Sequence, residues 1–269
     1  MINFIYIIKS HKMNLKANHI LEAQGTGERV GASLSDEAIW EYYNQAGQPE
    51  HFEVPGHGGL YVREHENIGA EYGGREVDDI IAVTDDLRSF GINVLPTRAV
   101  HVEGHQFIVT KKVNGVVLTN ALADHPSAEL LAETESTWVL LSGYAAKCRN
   151  SHDSFGATDM GEAQQFMYGT VSGEARPRIH LVDFGESVDD YSNTRRYSDY
   201  LMHTANGIVE IEAIIGRQMP DAREALQNAL KELDSSKLDN PEDIQKAQQR
   251  TEDINGILDS GIINQYWVL

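Results

Sequence analysis

The chain has 269 residues, with 22 Lys+Arg against 41 Asp+Glu and a formal net charge of −19 at pH 7. A surface that negative repels phosphate backbones and anionic lipid, which argues against a nucleic-acid binder or a protein held electrostatically on a membrane, though not against a nucleotide that brings its own Mg²⁺. Hydrophobic residues at 41% and charged residues at 23% exclude wholesale disorder, and the single cysteine, Cys148, excludes an intrachain disulfide and Cys-rich zinc sites.

Ile2 to Ile8 is the longest apolar run and ends in Lys9-Ser10-His11-Lys12. It is too short to span a bilayer, and no small-residue cleavage site follows a basic start, so it reads as a first strand of a soluble, cytoplasmic protein. Gly25-Thr26-Gly27-Glu28-Arg29-Val30-Gly31 is a glycine-punctuated turn. Ser35 then opens a helix through Asp36, Glu37, Ala38, Ile39, Trp40, Tyr42 and Tyr43, with early acids suited to the helix dipole and aromatics suited to lobe packing. Phe52-Glu53-Val54 and Leu60-Tyr61-Val62-Arg63 predict two strands around Pro55-Gly56-His57-Gly58-Gly59, a hairpin signal.

Arg75 to Phe90 carries the clearest helical pattern, with Val77, Ile80, Ile81, Thr84, Leu87 and Phe90 on one stripe and Gly91 as the stop. Asp78-Asp79 and Asp85-Asp86 fall on its solvated side. Strands Arg98 to Val102 and Gln106 to Val113 follow, turning at Glu103-Gly104, with His101 and His105 as exposed hairpin histidines. Ser127 to Arg149 is helical again. Gln165 to Gly169 and Arg178 to Val182 predict two short strands around Ser172-Gly173-Glu174, and the chain is helical from Asp189 onward, with Pro220 and Pro241 in first helical turns. This order predicts an α+β fold in two layers or lobes.

Two segments can carry chemistry. In Ile179-His180-Leu181-Val182-Asp183-Phe184-Gly185 a short apolar strand delivers a carboxylate, and a glycine lets the backbone turn away at once. Such an aspartate can hold Mg²⁺ on a nucleotide's phosphates, or simply cap a strand-end turn. Upstream, Thr158-Asp159-Met160-Gly161-Glu162-Ala163-Gln164-Gln165-Phe166-Met167 supplies an aspartate and, five or six residues on, an amide before an apolar strand. In phosphoryl transfer an aspartate orients the acceptor's proton and an amide helps hold a second metal; the bland alternative is a loop aspartate.

With these segments in this order, the chain resembles the protein-kinase-like superfamily, in the atypical branch of small-molecule phosphotransferases and pseudokinases. Phe107 to Leu118 is similar to the fifth strand, hinge and following glycine, and Arg75 to Phe90 stands at the position of the C helix. Asp159 to Met167 is similar to the catalytic loop with its following strand, and Ile179 to Gly185 to the strand ending in Asp-Phe-Gly. The resemblance implies a bilobal fold: a small antiparallel-sheet lobe over residues 1–112, and a larger helical lobe over 113–269 with a C-terminal helical extension. It implies ATP and Mg²⁺ as cofactors, Asp159 as catalytic base, Asp183 as main metal ligand and Gln165 or Gln164 as the second. The backbone of Lys111 to Val113 would meet adenine. Arg63 stands at the place of the family's phosphate-binding lysine, with Glu76, or else Glu71, as its partner from the helix. The phosphate-covering turn is either Gly25-Thr26-Gly27 or the turn containing Gly56, Gly58 and Gly59.

The chain also departs from the family. Arginine replaces lysine at position 63, Ala157-Thr158 replaces the His-Arg before the aspartate, glutamine replaces the metal-binding asparagine, and no Ala-Pro-Glu follows Gly185. Three readings result: a phosphotransferase acting on a small molecule or other hydroxyl acceptor; a pseudokinase-like nucleotide-binding or scaffold protein; and an acidic α+β interaction module. The last would use the amphipathic stretch Asp221 to Leu233, or the apolar end Ile262 to Leu269, to reach a protein partner.

Overall fold

The computed structural model describes residues 34–54, 56–57, 59–64, 77–150, 161–182, 193–231 and 241–261. The expected first strand, the Gly25–Gly31 turn, Gly58, Glu71, Glu76, Asp159, Asp183 and the apolar C-terminal end lie outside the described residues.

Helix α1 (Asp36–Gln45) starts where Ser35 accepts the Ala38 N–H at 3.2 Å, and Asp36 and Glu37 occupy its first turn. Strands β1 (His51–Glu53), β2 (Leu60–Glu64), β3 (Thr97–Val102) and β4 (His105–Lys111) form an antiparallel sheet in the order β1-β2-β4-β3. Glu103 and Gly104 turn the β3–β4 hairpin at φ 50° and 83°. Positive φ at both central residues is what a two-residue turn needs to match the twist of its strands.

Strand alternation sorts the two faces. Val62, Val100, Phe107 and Val109 pack under Ile39 and Tyr43 of α1. Glu64 fastens this helix to the sheet, accepting from the Tyr43 hydroxyl at 2.5 Å and meeting His105 Nδ1 at 2.6 Å. His105, expected to be an exposed hairpin histidine, is therefore held, and it packs 4.8 Å from the Trp40 ring. Tyr61, Arg63, Ile108 and Thr110 alternate onto the opposite face. Gln106, on that same face, accepts the Val77 N–H at the start of helix α2 (Val77–Phe90).

The strand predicted to run from Gln106 to Val113 instead spans His105–Lys111. Asn114 already opens a strand, β5 (Asn114–Val117), which heads a second antiparallel sheet with β6 (Phe166–Thr170) and β7 (Arg178–Leu181). Gly115 and Gly169 face each other across β5 and β6. A Cβ on Gly115 would collide with the Tyr168 backbone, so only glycine permits this approach.

Helices α3 (Leu118–Ala123), α4 (Ala128–Asn150), α5 (Asn193–Ile215), α6 (Pro220–Lys231) and α7 (Pro241–Ser260) complete the second lobe. Its core joins Trp138, Leu141 and Tyr144 of α4 to Ala205 and Ile208 of α5, with Leu226, Ile257 and the strand residues Phe166, Ile179 and Leu181. Val83 and Leu87 of α2 belong to this core as well. Accordingly Asp86 does not lie on a purely solvated side: it accepts from Tyr144 Oη at 2.9 Å and Lys147 Nζ at 2.5 Å, both on α4. Arg223 of α6 ties three helices, bonding Glu212 of α5 through Nε (2.7 Å) and the Leu258 carbonyl of α7 through Nη1 (2.7 Å). Among the described residues no helix is long and apolar enough to cross a membrane.

Candidate functional site

The two chemistry-bearing segments meet through β6 and β7. A 3₁₀ turn, Ala163–Gln165, leads into β6, whose first residue, Phe166, pairs with Leu181. The Gln165 carbonyl accepts the Val182 N–H at 3.0 Å. The residue before Asp183 is thus bonded to the residue six after Asp159.

The two glutamines left open by the sequence part here. Gln165 is 7% exposed, and its Oε1 is buried without a hydrogen-bond partner. Gln164 is exposed, and its Nε2 donates to Glu162 Oε2 at 2.8 Å. A buried amide oxygen left unpaired costs stability, about 1–3 kcal/mol. It is also the kind of oxygen a hard cation such as Mg²⁺ takes as a ligand. Of the two, Gln165 is the one that offers such an oxygen, since Gln164 is exposed and bonded to Glu162.

The segment that follows Asp159 is bolted to α5. Gly161 lies against the backbone of His203 and Thr204, and a Cβ on Gly207 would strike the Gly161 carbonyl. Ala163 N–H bonds Glu210, whose carboxyl burial pushes above its ordinary range against that bond's pull. Glu162 Oε1 sits 3.2 Å from His203 Nδ1, and that contact holds the Glu162 carboxyl below its ordinary range.

Below the connector, Leu95, Val113 and Val171 form a small apolar cluster with Met167 and Val182 packed on it. It joins the connector, the β6 strand and the residue before Asp183 in one patch. Lys111 ends β4 opposite Leu60, and its Nζ reaches the Ser172 carbonyl at 3.4 Å. Lys112 donates its backbone N–H to the Gly59 carbonyl at 2.6 Å, while its Nζ bonds Glu53 at 2.5 Å. The turn with Gly56 (φ 77°) and Gly59 (φ 89°) therefore abuts the connector.

Arg63 stands further along β2, opposite Ile108 and His51, about 10 Å from Leu60 at the usual strand rise. It shares the α2-facing side of the sheet with Tyr61, whose hydroxyl burial pushes up while Arg63 pulls it down. Tyr61 and Arg63 thus share one face of the four-stranded sheet, while Gln165 is bonded to Val182 where β6 begins and β7 ends. Among the described residues no group of three or more His, Cys, Asp or Glu side chains is placed to hold a metal. The sequence reading missed Asn93 and Glu174, which contact His180 inside β7; neither belongs to a motif, and only the fold brings them there.

A four-stranded sheet carrying one long helix, a short connector and a mainly helical second lobe make this a bilobal α+β architecture. No family model and no curated relative matches the chain. Among solved structures it is similar to the pseudokinase domain of BIR2, an immune regulator of the RLK/Pelle family, at 14% identity over 77% of this chain and 69% of that one, with a TM-score of 0.38. It is similar also to WaaP in complex with acyl carrier protein, at 15% identity over 76% of this chain and 83% of that one, with a TM-score of 0.36.

Proposed function

We propose that the chain binds ATP with Mg²⁺ between its two lobes and transfers a phosphoryl group to the hydroxyl of a small molecule. The observation that carries this reading is the bond from Val182 N–H to the Gln165 carbonyl, with the unpaired Gln165 Oε1 buried beside it. Asp183 and Gln165 would hold the metal, whose role is to neutralise charge on the phosphates. Asp159 would orient the acceptor hydroxyl and receive its proton. Arg63, paired with Glu76, would hold phosphate oxygens through its fork of donors. The backbone at Lys111 and Val113 would face the base, which would rest on the apolar patch. The turn at Gly56, Gly58 and Gly59 would cover the connector end of the cleft, with phosphates further along toward Arg63.

Phosphoryl transfer asks mainly for positioning and charge neutralisation, which these groups supply. Asp183→Asn should lower a measured ATP turnover by about 100-fold or more, as loss of a charge-stabilising group does. Unchanged turnover in that variant would refute the mechanism. A second reading, nucleotide binding without catalysis, is favoured by Arg63 in place of lysine and by Ala157-Thr158 before Asp159. Metal-dependent thermal stabilisation by ATP without turnover in the wild-type protein would decide for it.

A further inference from the structure

Away from the connector, the lobes meet again where the chain leaves α2. Val94 bridges Leu181 in parallel, and the Asn93 carbonyl accepts the Leu181 N–H at 2.9 Å. The Asn93 amide donates to the Ile179 carbonyl at 2.6 Å, and the same nitrogen lies 3.2 Å from His180 Nδ1. A primary amide has two N–H groups, so one satisfies the carbonyl and the other reaches the ring. That assigns Nδ1 as acceptor and places the ring proton on Nε2. Nε2 sits 3.2 Å from Glu174 Oε2, within ion-pair range but not aligned for a hydrogen bond. The same carboxylate oxygen accepts the Val171 N–H at 2.9 Å. His180 is 1% exposed, so the whole arrangement is internal.

One residue therefore grips three successive positions of β7, while Gln165 holds the next through Val182 N–H. Stability alone does not call for this chemistry, since an apolar pair of similar volume can replace two buried hydrogen-bonding partners at little net cost. What the side chain adds is register: its two amide donors are satisfied together with the residue's backbone carbonyl in a single alignment of the loop on the strand.

We propose that Asn93 is a positioning residue, which sets the register of β7 and hence the approach of Val182 to Gln165. The inference rests on the nucleotide reading, because its purpose is to place the metal-binding end of that strand. It also links α2 to the same strand, since Asn93 lies three residues beyond the helix end at Phe90.

The test is ATP affinity, measured by titration at a series of Mg²⁺ concentrations in the full chain, together with amide hydrogen exchange over 178–182. Asn93→Ala should keep its metal-free ATP affinity within about twofold and weaken the Mg²⁺ dependence by about 10-fold, the size expected when a group behind a metal ligand is removed. Exchange in β7 should quicken relative to β6. His180→Leu removes the ring partner and fills its volume, and should shift both readouts the same way by a smaller factor; it carries the test if Asn93→Ala does not fold. Wild-type protein whose ATP affinity ignores Mg²⁺ overturns the nucleotide reading and this inference with it. Wild-type Mg²⁺ dependence that persists in the variants overturns the inference alone.

Discussion

Gln164 and Gln165 are neighbours with the same side chain, yet the fold gives them opposite surroundings. Gln164 is exposed and bonded to Glu162, whereas Gln165 points a bare oxygen into the protein interior. Replacing Gln165 by Met, which keeps the length and drops the polar atoms, should change unfolding free energy by no more than about 1 kcal/mol, since an unpaired polar atom is lost. The same variant should lose most of any Mg²⁺-dependent gain in ATP affinity; equal loss of stability and binding would mark Gln165 as merely structural. His180 offers a pH test. Burial holds its imidazole below the ordinary 6.5, with Glu174 and Glu133 pulling upward and Arg178 opposing them. Just below pH 6.5 the unfolded chain therefore binds a proton that the folded chain does not, so stability falls as pH drops through that value. Urea unfolding between pH 8 and pH 5.5 should show this slope, and His180→Leu should flatten part of it. Identical slopes in both proteins would contradict the assignment.

Elements were legible where a pattern repeats within one segment. The stripe from Val77 to Phe90, the Glu103-Gly104 hairpin and the prolines opening α6 and α7 all carry local signals, and the fold agrees with each. Strand β5 and helix α3 were not legible. Both are short, and β5 exists because Gly115 meets Gly169 far along the chain. Asp86 was misplaced for the same reason: its partners Tyr144 and Lys147 stand on another helix. The glycine contact between the post-Asp159 segment and α5 is likewise invisible in sequence. Gly207→Ala should destabilise the protein by about 1–3 kcal/mol through overpacking, measurable as a lower midpoint in denaturant. Gly216→Ala, where φ is 66° but no atom crowds the position, should cost only about 1 kcal/mol of backbone strain. Equal effects at both glycines would mean the α5 contact is not tight.

At the scale of the whole molecule, the order of motifs foretold two lobes, and the sheet order β1-β2-β4-β3 followed by a helical lobe conforms to it. Order is legible because each segment announces itself; convergence is not, because only β6–β7 pairing brings Gln165 to Val182. Among the described residues the lobes are joined at the connector with its Lys111–Ser172 contact, at the Asn93 loop on β7, and where Asp86 of α2 meets Tyr144 and Lys147 of α4. Deep in the second lobe, Arg223 balances the nearly buried Glu212 carboxylate. Arg223→Leu should cost about 3 kcal/mol, because it strands that charge, while Arg223→Leu combined with Glu212→Leu should recover much of the loss. A double variant no more stable than the single one would place the cost in packing instead.

On the proposed function, this chain holds a metal–nucleotide at the junction marked by Gln165 and Val182. Calorimetric titration of the wild-type protein with ATP, with and without Mg²⁺, and again with Asp183→Asn, tests it most directly. Saturable ATP binding should tighten with Mg²⁺ in the wild type and lose that tightening in the variant. Absence of binding, or an affinity that neither Mg²⁺ nor the substitution changes, would contradict it.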